Sequence, residues 1–512
     1  MNTLILFKVY NKVYNKLCVL FYKIKYVIYF NIFLNVLFIN YLHYKLWNVL
    51  NTKLALALDL SIKLNGCVII KLIQWLNTNL ELVLINSYNY EFLSSLFGRY
   101  YEDCPIHNLK YTKKMYLKEF GIEFDDYFEL DNNFSVKSGS IAQVYKAKLK
   151  NNNANNVANN SANNVAIKVI HPEIEYQLIC PFIFVKLYTY LVSNFKCFKK
   201  YDIIIDLNSF FCNLKKQINM ENEYKNNEYF YNTYNNNIII IPKPLMKSKN
   251  FLIMEFIDGE QFEKMNISEY KKLLIISIIN IFIKDTFING KYIHCDLHQA
   301  NWKIYKQINN NQTNFDYKII IYDFGYVIEN TLNDSLKNIC YYLDTNNIVE
   351  LGDLLFKNIS NIKDDVSNSM FKEDFMAKFK KHTINCYPYS DELITTIINF
   401  CYINNYKLNN NLLDYFISVI LLNKHFKKYL FLNKCKTGFN EDSYYKHIYN
   451  KSLFYISICE KYNVFHEIKN LIYTTYINNQ LFSRKKIYTN NFFDNLKKTS
   501  NDVTLNHNAI DI

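Results

Sequence analysis

Four polar residues interrupt the apolar runs of this 512-residue chain in a fixed order, and that order restricts the fold more than any other feature. Lys168 closes Val165-Ala166-Ile167-Lys168. Asp296 and Asn301 lie in His294-Cys295-Asp296-Leu297-His298-Gln299-Ala300-Asn301, and Asp323 follows Ile319-Ile320-Ile321-Tyr322 and leads into Phe324-Gly325. Around these residues the hydrophobic period changes. Phe134 to Lys150 reads as two strands about a tight turn, Val165 to Ile170 as a third, and Ile238 to Pro242 and Phe251 to Phe256 as two more. Helical spacing marks residues 51 to 130, the stretch after His171 as far as Thr233, and most of the chain from Ser268, apart from a β-rich insertion over Trp302 to Tyr322. Two Asn-rich runs, Asn151 to Asn164 and Ile308 to Asn314, read as solvated hairpin tips. The pattern predicts an α+β chain with a leader over 1–58, a helical extension over 59–130, a small β-rich lobe over 131–257, a helical lobe over 258–483 and a polar tail over 484–512.

The four residues carry one kind of chemistry. Alternation on its strand points Lys168 away from Ile167, where its ammonium can pair with nucleotide phosphates. Asp296 is placed to orient or deprotonate an acceptor hydroxyl, and Asn301, five residues on, to hold a metal bridging phosphates. Asp323, ahead of Phe324-Gly325, has the position of the residue that holds the principal Mg²⁺. Together they predict a bilobal protein-kinase-like fold, with ATP and Mg²⁺ as cofactors. Asp296 to Asp323 is a long interval for a kinase, and the Asn-rich tip accounts for the excess. Glu223, on the helical stretch Leu214 to Phe230, is the expected partner of Lys168. Met254-Glu255-Phe256-Ile257 ends a strand, so the backbone of Glu255 and Ile257 is expected to meet adenine before Asp258-Gly259 turns the chain.

Charge and composition close off other classes. Lys and Arg outnumber Asp and Glu by 59 to 46, yet Arg99 and Arg484 are the only arginines and the lysines form no basic block, which argues against a nucleic-acid reader. The 12 cysteines stand singly with no C-x-x-C pair, as thiols in a reducing compartment do. No acidic residue precedes Asp59, while Lys8, Lys12, Lys16, Lys23, Lys25, Lys45 and Lys53 are scattered among apolar residues. Such a leader has the character of an organellar targeting segment. Tyr26 to Leu42 is uncharged but, at ~1.5 Å per residue, falls short of a hydrocarbon core of roughly 30 Å. A membrane-surface or marginally spanning helix is the expectation, with Asn31, Asn35 and Asn40 as an added cost.

One segment departs from ordinary kinases. In place of a G-x-G-x-x-G loop stands Ser138-Gly139-Ser140-Ile141-Ala142-Gln143-Val144-Tyr145, followed by Val165 to His171-Pro172. This resembles the UbiB-type atypical kinases, the aarF-domain-containing family associated with coenzyme Q metabolism. Lys71-Leu72-Ile73-Gln74-Trp75 is similar to the family's K-x-G-Q signature, Glu223-Tyr224-Lys225-Asn226 to its E-A-x-N helix, Phe287 to Asn301 to its H-x-D-x-H-x-x-N loop and Asp323-Phe324-Gly325 to its metal-binding element. The resemblance covers roughly residues 60 to 330. It implies that Ser138, Gly139, Ser140, Ile141, Ala142 and Gln143 form the nucleotide loop, that Lys71 and Gln74 belong to a regulatory segment over the site, and that Lys168, Glu223, Asp296, Asn301 and Asp323 are a complete catalytic and metal set.

The resemblance further implies a Mg²⁺-ATP-dependent kinase or ATPase supporting ubiquinone biosynthesis at a mitochondrial, inner-membrane-associated location. Its expected partners are a lipid or prenyl-quinone-related ligand, the membrane surface and coenzyme Q biosynthesis proteins. Three departures stand against it. Ile73 replaces the signature glycine, Lys137-Ser138-Gly139 replaces the alanine-rich stretch, and Gln217-Ile218-Asn219 replaces an E-x-D element. A small-molecule phosphotransferase of the aminoglycoside or choline kinase type, and a nucleotide-binding membrane scaffold, are the alternative functions.

Overall fold

The structure is a computed structural model. It describes residues 2–47, 51–74, 104–150, 164–194, 207–297, 299–306, 317–331, 338–344, 347–359, 368–383, 390–404 and 453–473, together with a few single positions near 410. The first Asn-rich tip up to residue 163, the whole of the second, the helical spacing expected between 80 and 93, Trp75, His298 and the polar tail lie outside the described residues. The chain divides into two units: Met1–Thr233 with Pro242–Ile257 and Asp323–Tyr326, and Tyr234–Ile241 with Asp258–Tyr322 and Val327–Ile512.

The first unit opens with α1 (Asn2–Trp47) and α2 (Thr52–Asn65), the latter capped by the Asn51 side chain, which accepts from the amides of Lys53 and Leu54. Gly66 ends α2 at φ +77, and a Cβ there would lie 2.7 Å from Oε1 of Gln177, so only glycine fits both the turn and the contact. A further helix follows over 67–74. The expected leader boundary at 58/59 falls inside α2. Asn31, Asn35 and Asn40 carry little of the expected cost, because the Asn35 amide donates to the Asn31 carbonyl and that of Asn40 to the carbonyls of Val36 and Leu54.

The sheet of this unit is built from β1 (Phe128–Leu130), β2 (Lys137–Ser138), β3 (Ala142–Leu149) and β4 (Asn164–Ile170). The chain then supplies β5 (Ile239–Ile240) to the other unit and returns as β6 (Pro244–Lys247) and β7 (Phe251–Glu255). The order is β1-β3-β4-β7-β6, with β2 on β3, so β4 lies in the middle. Val165, Ile167 and Val169 face an aromatic cluster holding Tyr116, Phe124, Phe128 and Phe251. Ala166 and Ile170 face the other way, toward Val68, Phe211, Leu214 and Met220. With period 2, Lys168 shares the face of Ala166 and Ile170, as alternation predicts.

One expected strand joins a different ladder from its neighbours in sequence, and one expected helix is interrupted. The run at Ile238 to Pro242 does not pair with β7; Ile239 and Ile240 of β5 pair in parallel with Ile319 and Ile320 of β10 (Tyr317–Ile321). β7 pairs instead with β6, with an irregularity between Pro244 and Met246. Two prolines explain the break: Pro242 has no N–H to continue a ladder, and Pro244 stands at the first residue of β6, where proline is tolerated. The helical stretch Leu214 to Phe230 is likewise two helices, Leu207–Gln217 and Met220–Tyr234. Asn219 separates them, its side chain accepting from the amide of Glu221 as an N-cap does.

In the second unit the Glu269–Ile288 helix is capped by Ser268 and buries Ile275, Ile276, Ile279 and Phe282. β8 (Tyr292–His294) pairs antiparallel with β11 (Val327–Glu329), and β9 (Trp302–Lys306) with β10. The 294–301 motif is therefore held between the ends of β8 and β9.

Candidate active site

In the first unit, Lys168 lies between two carboxylates. Its Nζ is 2.6 Å from Oε1 of Glu223 and 2.9 Å from Oδ1 of Asp323. Central placement in the sheet buries the lysine, and the Met220–Tyr234 helix brings Glu223 to it. Burial alone would lower the lysine pKa; the charges of Asp323 and then Glu223 overcome this and raise it. Burial also pushes Glu223 up, to about 7, against the pull of Lys168. Asp323 is held far below the ordinary carboxylate range, because Lys168 above all outweighs its desolvation, with smaller contributions from Lys71 and the Gly325 amide.

Asp323 is thus an ionised carboxylate with one oxygen on Lys168 and on the Gly325 N–H, at 3.1 Å, and with its side chain 41% exposed. Its backbone takes φ +55, a conformation uncommon for a non-glycine residue and a mark of functional sites. A Cβ on Gly325 would meet Asp323 Oδ1 at 3.0 Å and Glu223 Oε2 at 3.4 Å, so a larger residue would crowd both acids. The same helix fixes the Asp-Phe-Gly backbone at two further points. Asn226 donates to the Phe324 carbonyl at 2.9 Å, and Phe230 stacks on Phe324 with centroids 4.8 Å apart. Asn226 was legible only as part of a motif. Its place three residues after Glu223, on one helix face, is the signal that gives it a role.

The loop Ser138–Gln143 is bound to the protein mainly through its carbonyls. Cys104 N–H donates to Ser138, His171 Nε2–H to Gly139, His171 N–H to Ile141 and Gly139 N–H to Ala142. Four of the five carbonyls from Ser138 to Ala142 are so engaged. A Cβ at Gly139 would make only an ordinary 3.6 Å contact, so nothing inside the protein requires glycine there. The Gln143 side chain is a correction. It is fully buried, accepts from His107 N–H and donates to the His107 carbonyl and the Tyr145 hydroxyl, so it is spent inside the protein and only its backbone could serve a ligand. Glu255 ends β7 with its N–H on the Lys243 carbonyl, and the Phe256 N–H is taken by the Asn164 carbonyl; Ile257 is half-buried at the last residue of the unit's second segment.

Lys71 lies on the 67–74 helix close enough to lower the Asp323 pKa. Ile73 is buried with Phe33, Leu58, Ile62, Ile69 and Ile70. Two residues apart on a helix is about 200° of rotation, so the side chain that replaces the signature glycine turns into the extension's core, away from the face that carries Lys71. Gln74 is buried.

In the second unit, Asn301 is buried and its Nδ2 donates to the Asp296 carbonyl at 2.7 Å, closing the 296–301 turn and leaving Oδ1 as its available atom. Asp296 is half-buried, with its N–H directed to His294 Nδ1 at 3.3 Å. The amide oxygen of Asn301 is a hard donor, the type Mg²⁺ takes, as is the carboxylate of Asp323 in the first unit. Among the described residues no group of three or more His, Cys, Asp or Glu could hold a metal ion.

Residues 99–350 match the family model described as ABC1 atypical kinase-like domain. The chain is 22% identical over 230 residues to the ABC1 family protein MCP2 homolog of Schizosaccharomyces pombe, covering 43% of this chain and 39% of that protein. It is 23% identical over 234 residues to the ABC1 family protein MCP2 of Saccharomyces cerevisiae, covering 44% of this chain and 40% of that protein. The chain therefore spans well under half the length of these curated relatives. Among solved structures, the Rv3197–erythromycin complex from Mycobacterium tuberculosis aligns over 62% of this chain and 83% of that one, at 15% identity and a TM-score of 0.38.

Proposed function

We propose, starting from the fact that residues 99–350 of this chain are an ABC1 atypical kinase-like domain, that the protein is a Mg²⁺-ATP-dependent atypical kinase or ATPase supporting ubiquinone biosynthesis at a mitochondrial membrane. The observation that carries the catalytic half is Lys168, buried and shared by Glu223 and Asp323. An ammonium held protonated by two acids is prepared to bind phosphate. Glu223 orients it, and Asp323, ionised and partly exposed, is prepared to hold a metal. Asp296 is assigned the acceptor hydroxyl, or water, and Asn301 the second metal oxygen. Mg²⁺, when bound, supplies charge neutralisation for the phosphates. The backbone of Ser138–Ala142, with its carbonyls tied inward, supplies the loop over the nucleotide, and Lys71 and Gln74 belong to the segment that restricts access.

The membrane half rests on surface character. α1 contains an apolar stretch over Lys16–Tyr44 that exposes Leu17, Leu20, Phe21, Ile24 and Ile28, while α2 exposes Leu56 and Leu60 and the Ile179–Asn194 helix exposes Ile183 and Leu187. Exposed apolar residues at this density, interspersed with lysines and no acid before Asp59, suit an anionic membrane surface.

The test of the catalytic half is nucleotide-dependent stabilisation. At about a hundred times Kd, Mg²⁺-ATP should stabilise the wild type by ~2.7 kcal/mol, an effect that Asp323→Ala abolishes and Asp125→Ala, on the exposed Lys113 pair, leaves intact. Equal thermal shifts in wild type and Asp323→Ala would remove the metal assignment.

A further inference from the structure

Behind the Ser138–Gln143 loop, five side chains from four separate stretches form one continuous hydrogen-bonded chain. His171 Nε2 is 3.0 Å from the Gly139 carbonyl oxygen, and His171 Nδ1 is 3.0 Å from His107 Nδ1. His107 Nε2 is 3.0 Å from Thr112 Oγ1, which is 3.0 Å from the Tyr145 hydroxyl, and Tyr145 in turn receives the Gln143 amide. Gln143, Thr112, Tyr145 and His171 are all buried.

The donors in this chain can be assigned from one fixed end. A carbonyl oxygen only accepts, so His171 carries its proton on Nε2. In the neutral ring Nδ1 is then bare, and the His107 Nδ1 facing it must carry a proton. His107 Nε2 is bare in its turn and accepts from the Thr112 hydroxyl. Thr112 then accepts from Tyr145, and Tyr145 from Gln143. Ser138 Oγ, 3.4 Å from His171 Nε2, donates to the Pro105 carbonyl and so offers His171 only lone pairs. A second proton on His171 would set two N–H groups against each other across 3.0 Å, so that ring is neutral, and one on His107 Nε2 would force the Thr112 and Tyr145 hydroxyls to turn round. Burial favours the same state: it lowers both pKa values, that of His107 to about 3 with help from His171. The Tyr111 ring lies 5.0 Å from His107, and Glu173, two residues beyond His171 in sequence, has its carboxylate taken by Lys25 and Tyr26.

The Gly139 carbonyl and the Ser140 N–H belong to one planar trans peptide and point in opposite directions. Holding that carbonyl on His171 therefore holds the Ser140 amide directed away from His171, the orientation in which it can meet an anion. Glycine, which lacks a Cβ, resists a flip of this peptide least, so an external anchor matters here. We infer that His171 is a positioning residue for phosphate binding, fixing the Gly139–Ser140 peptide through its Nε2–H, and that His107, Thr112, Tyr145 and Gln143 fix its tautomer. The inference rests on reading Ser138–Gln143 as the nucleotide loop.

The test is titration of Mg²⁺-ADP into the full-length protein and four variants, with hydrogen exchange of the peptide spanning the loop. His171→Phe keeps a ring and removes the donor; affinity should fall about tenfold, and loop exchange should quicken. In His171→Gln the amide nitrogen stands where Nε2 stood, and affinity should return to within about threefold of wild type, a rescue that a purely packing role would not give. Thr112→Val, which leaves the loop sequence intact, should quicken loop exchange and weaken binding by about threefold, and it decides the matter if His171→Phe does not fold. Wild-type affinity and exchange in Thr112→Val, or equal affinities in His171→Phe and His171→Gln, would overturn the positioning role while Lys168→Ala still loses nucleotide. Unchanged affinity in Lys168→Ala would instead overturn the nucleotide reading beneath it.

Discussion

At the residue scale the two buried acid–base systems of the first unit respond to pH in opposite directions. Glu223 is raised from its ordinary 4.5 to about 7 by burial, with Asp323 adding like-charge repulsion and Lys168 opposing both. A raised carboxyl binds its proton more tightly in the folded state, so its stabilisation is complete below about 4.5 and is lost as pH rises through about 7. Glu223→Gln mimics the protonated form and should remove that dependence. The wild-type melting temperature should fall relative to Glu223→Gln between pH 5.5 and 8, and parallel curves would show that Glu223 titrates normally. His107, lowered to about 3, has the reverse sign: the unfolded chain takes the proton first, so its contribution is lost as pH falls below its ordinary 6.5. Replacing His107 by Gln should therefore reduce the loss of stability between pH 6.5 and 4, as followed by urea unfolding at each pH.

At the element scale the Met220–Tyr234 helix organises the site, because Glu223, Asn226 and Phe230 recur on one face and meet Lys168, the Phe324 carbonyl and the Phe324 ring. Phe230 is fully buried, so Phe230→Ala should cost about 3–5 kcal/mol, whereas Asn226→Ala, removing one partly buried hydrogen bond, should cost about 1 kcal/mol. Denaturant titration measures both, and equal costs would mean the ring does not anchor the Asp-Phe-Gly segment. These contacts were legible to different degrees. Lys168 could be read because strand alternation is local, and Glu223 because it lies on a helical stretch that follows that strand. Ile238 to Pro242 could be read as a strand, but an apolar run states that it is buried and not which ladder it joins. β8 and β11 are three residues each, too short for periodicity to register. The histidine relay left no trace, since His107 and His171 are 64 positions apart and meet only through the fold of β3 and β4.

At the scale of the whole molecule the proposed membrane association turns on α1. Its apolar stretch over Lys16–Tyr44 has 29 residues, about 44 Å at ~1.5 Å each, which is length enough to cross a core of roughly 30 Å. Its contacts favour lying flat. Near the middle of that stretch Lys25 and Tyr26 both donate to Glu173 at 2.8 Å, the Tyr29 carbonyl accepts from Asn65 at 2.8 Å, and Phe33 is buried with Leu58 and Ile62. A crossing helix would carry these contacts, and the glutamate with them, into hydrocarbon, where ionisable and backbone-bonding groups are expensive. A surface-bound helix keeps them at the domain and offers lipid only the Leu20 and Ile24 side. The same contacts give residues 16–47 a structural role beyond that of an address, because their removal would expose Ile62, Ile69 and Ile73. The full-length protein should therefore float with anionic vesicles and be released by alkaline carbonate. Leu20→Glu with Ile24→Glu should abolish flotation and leave the melting temperature within ~2 °C of wild type, because both side chains are more than half exposed and surface changes cost little. Retention of the wild type after carbonate would establish a spanning α1, and loss of folding in the double variant would place Leu20 and Ile24 against protein.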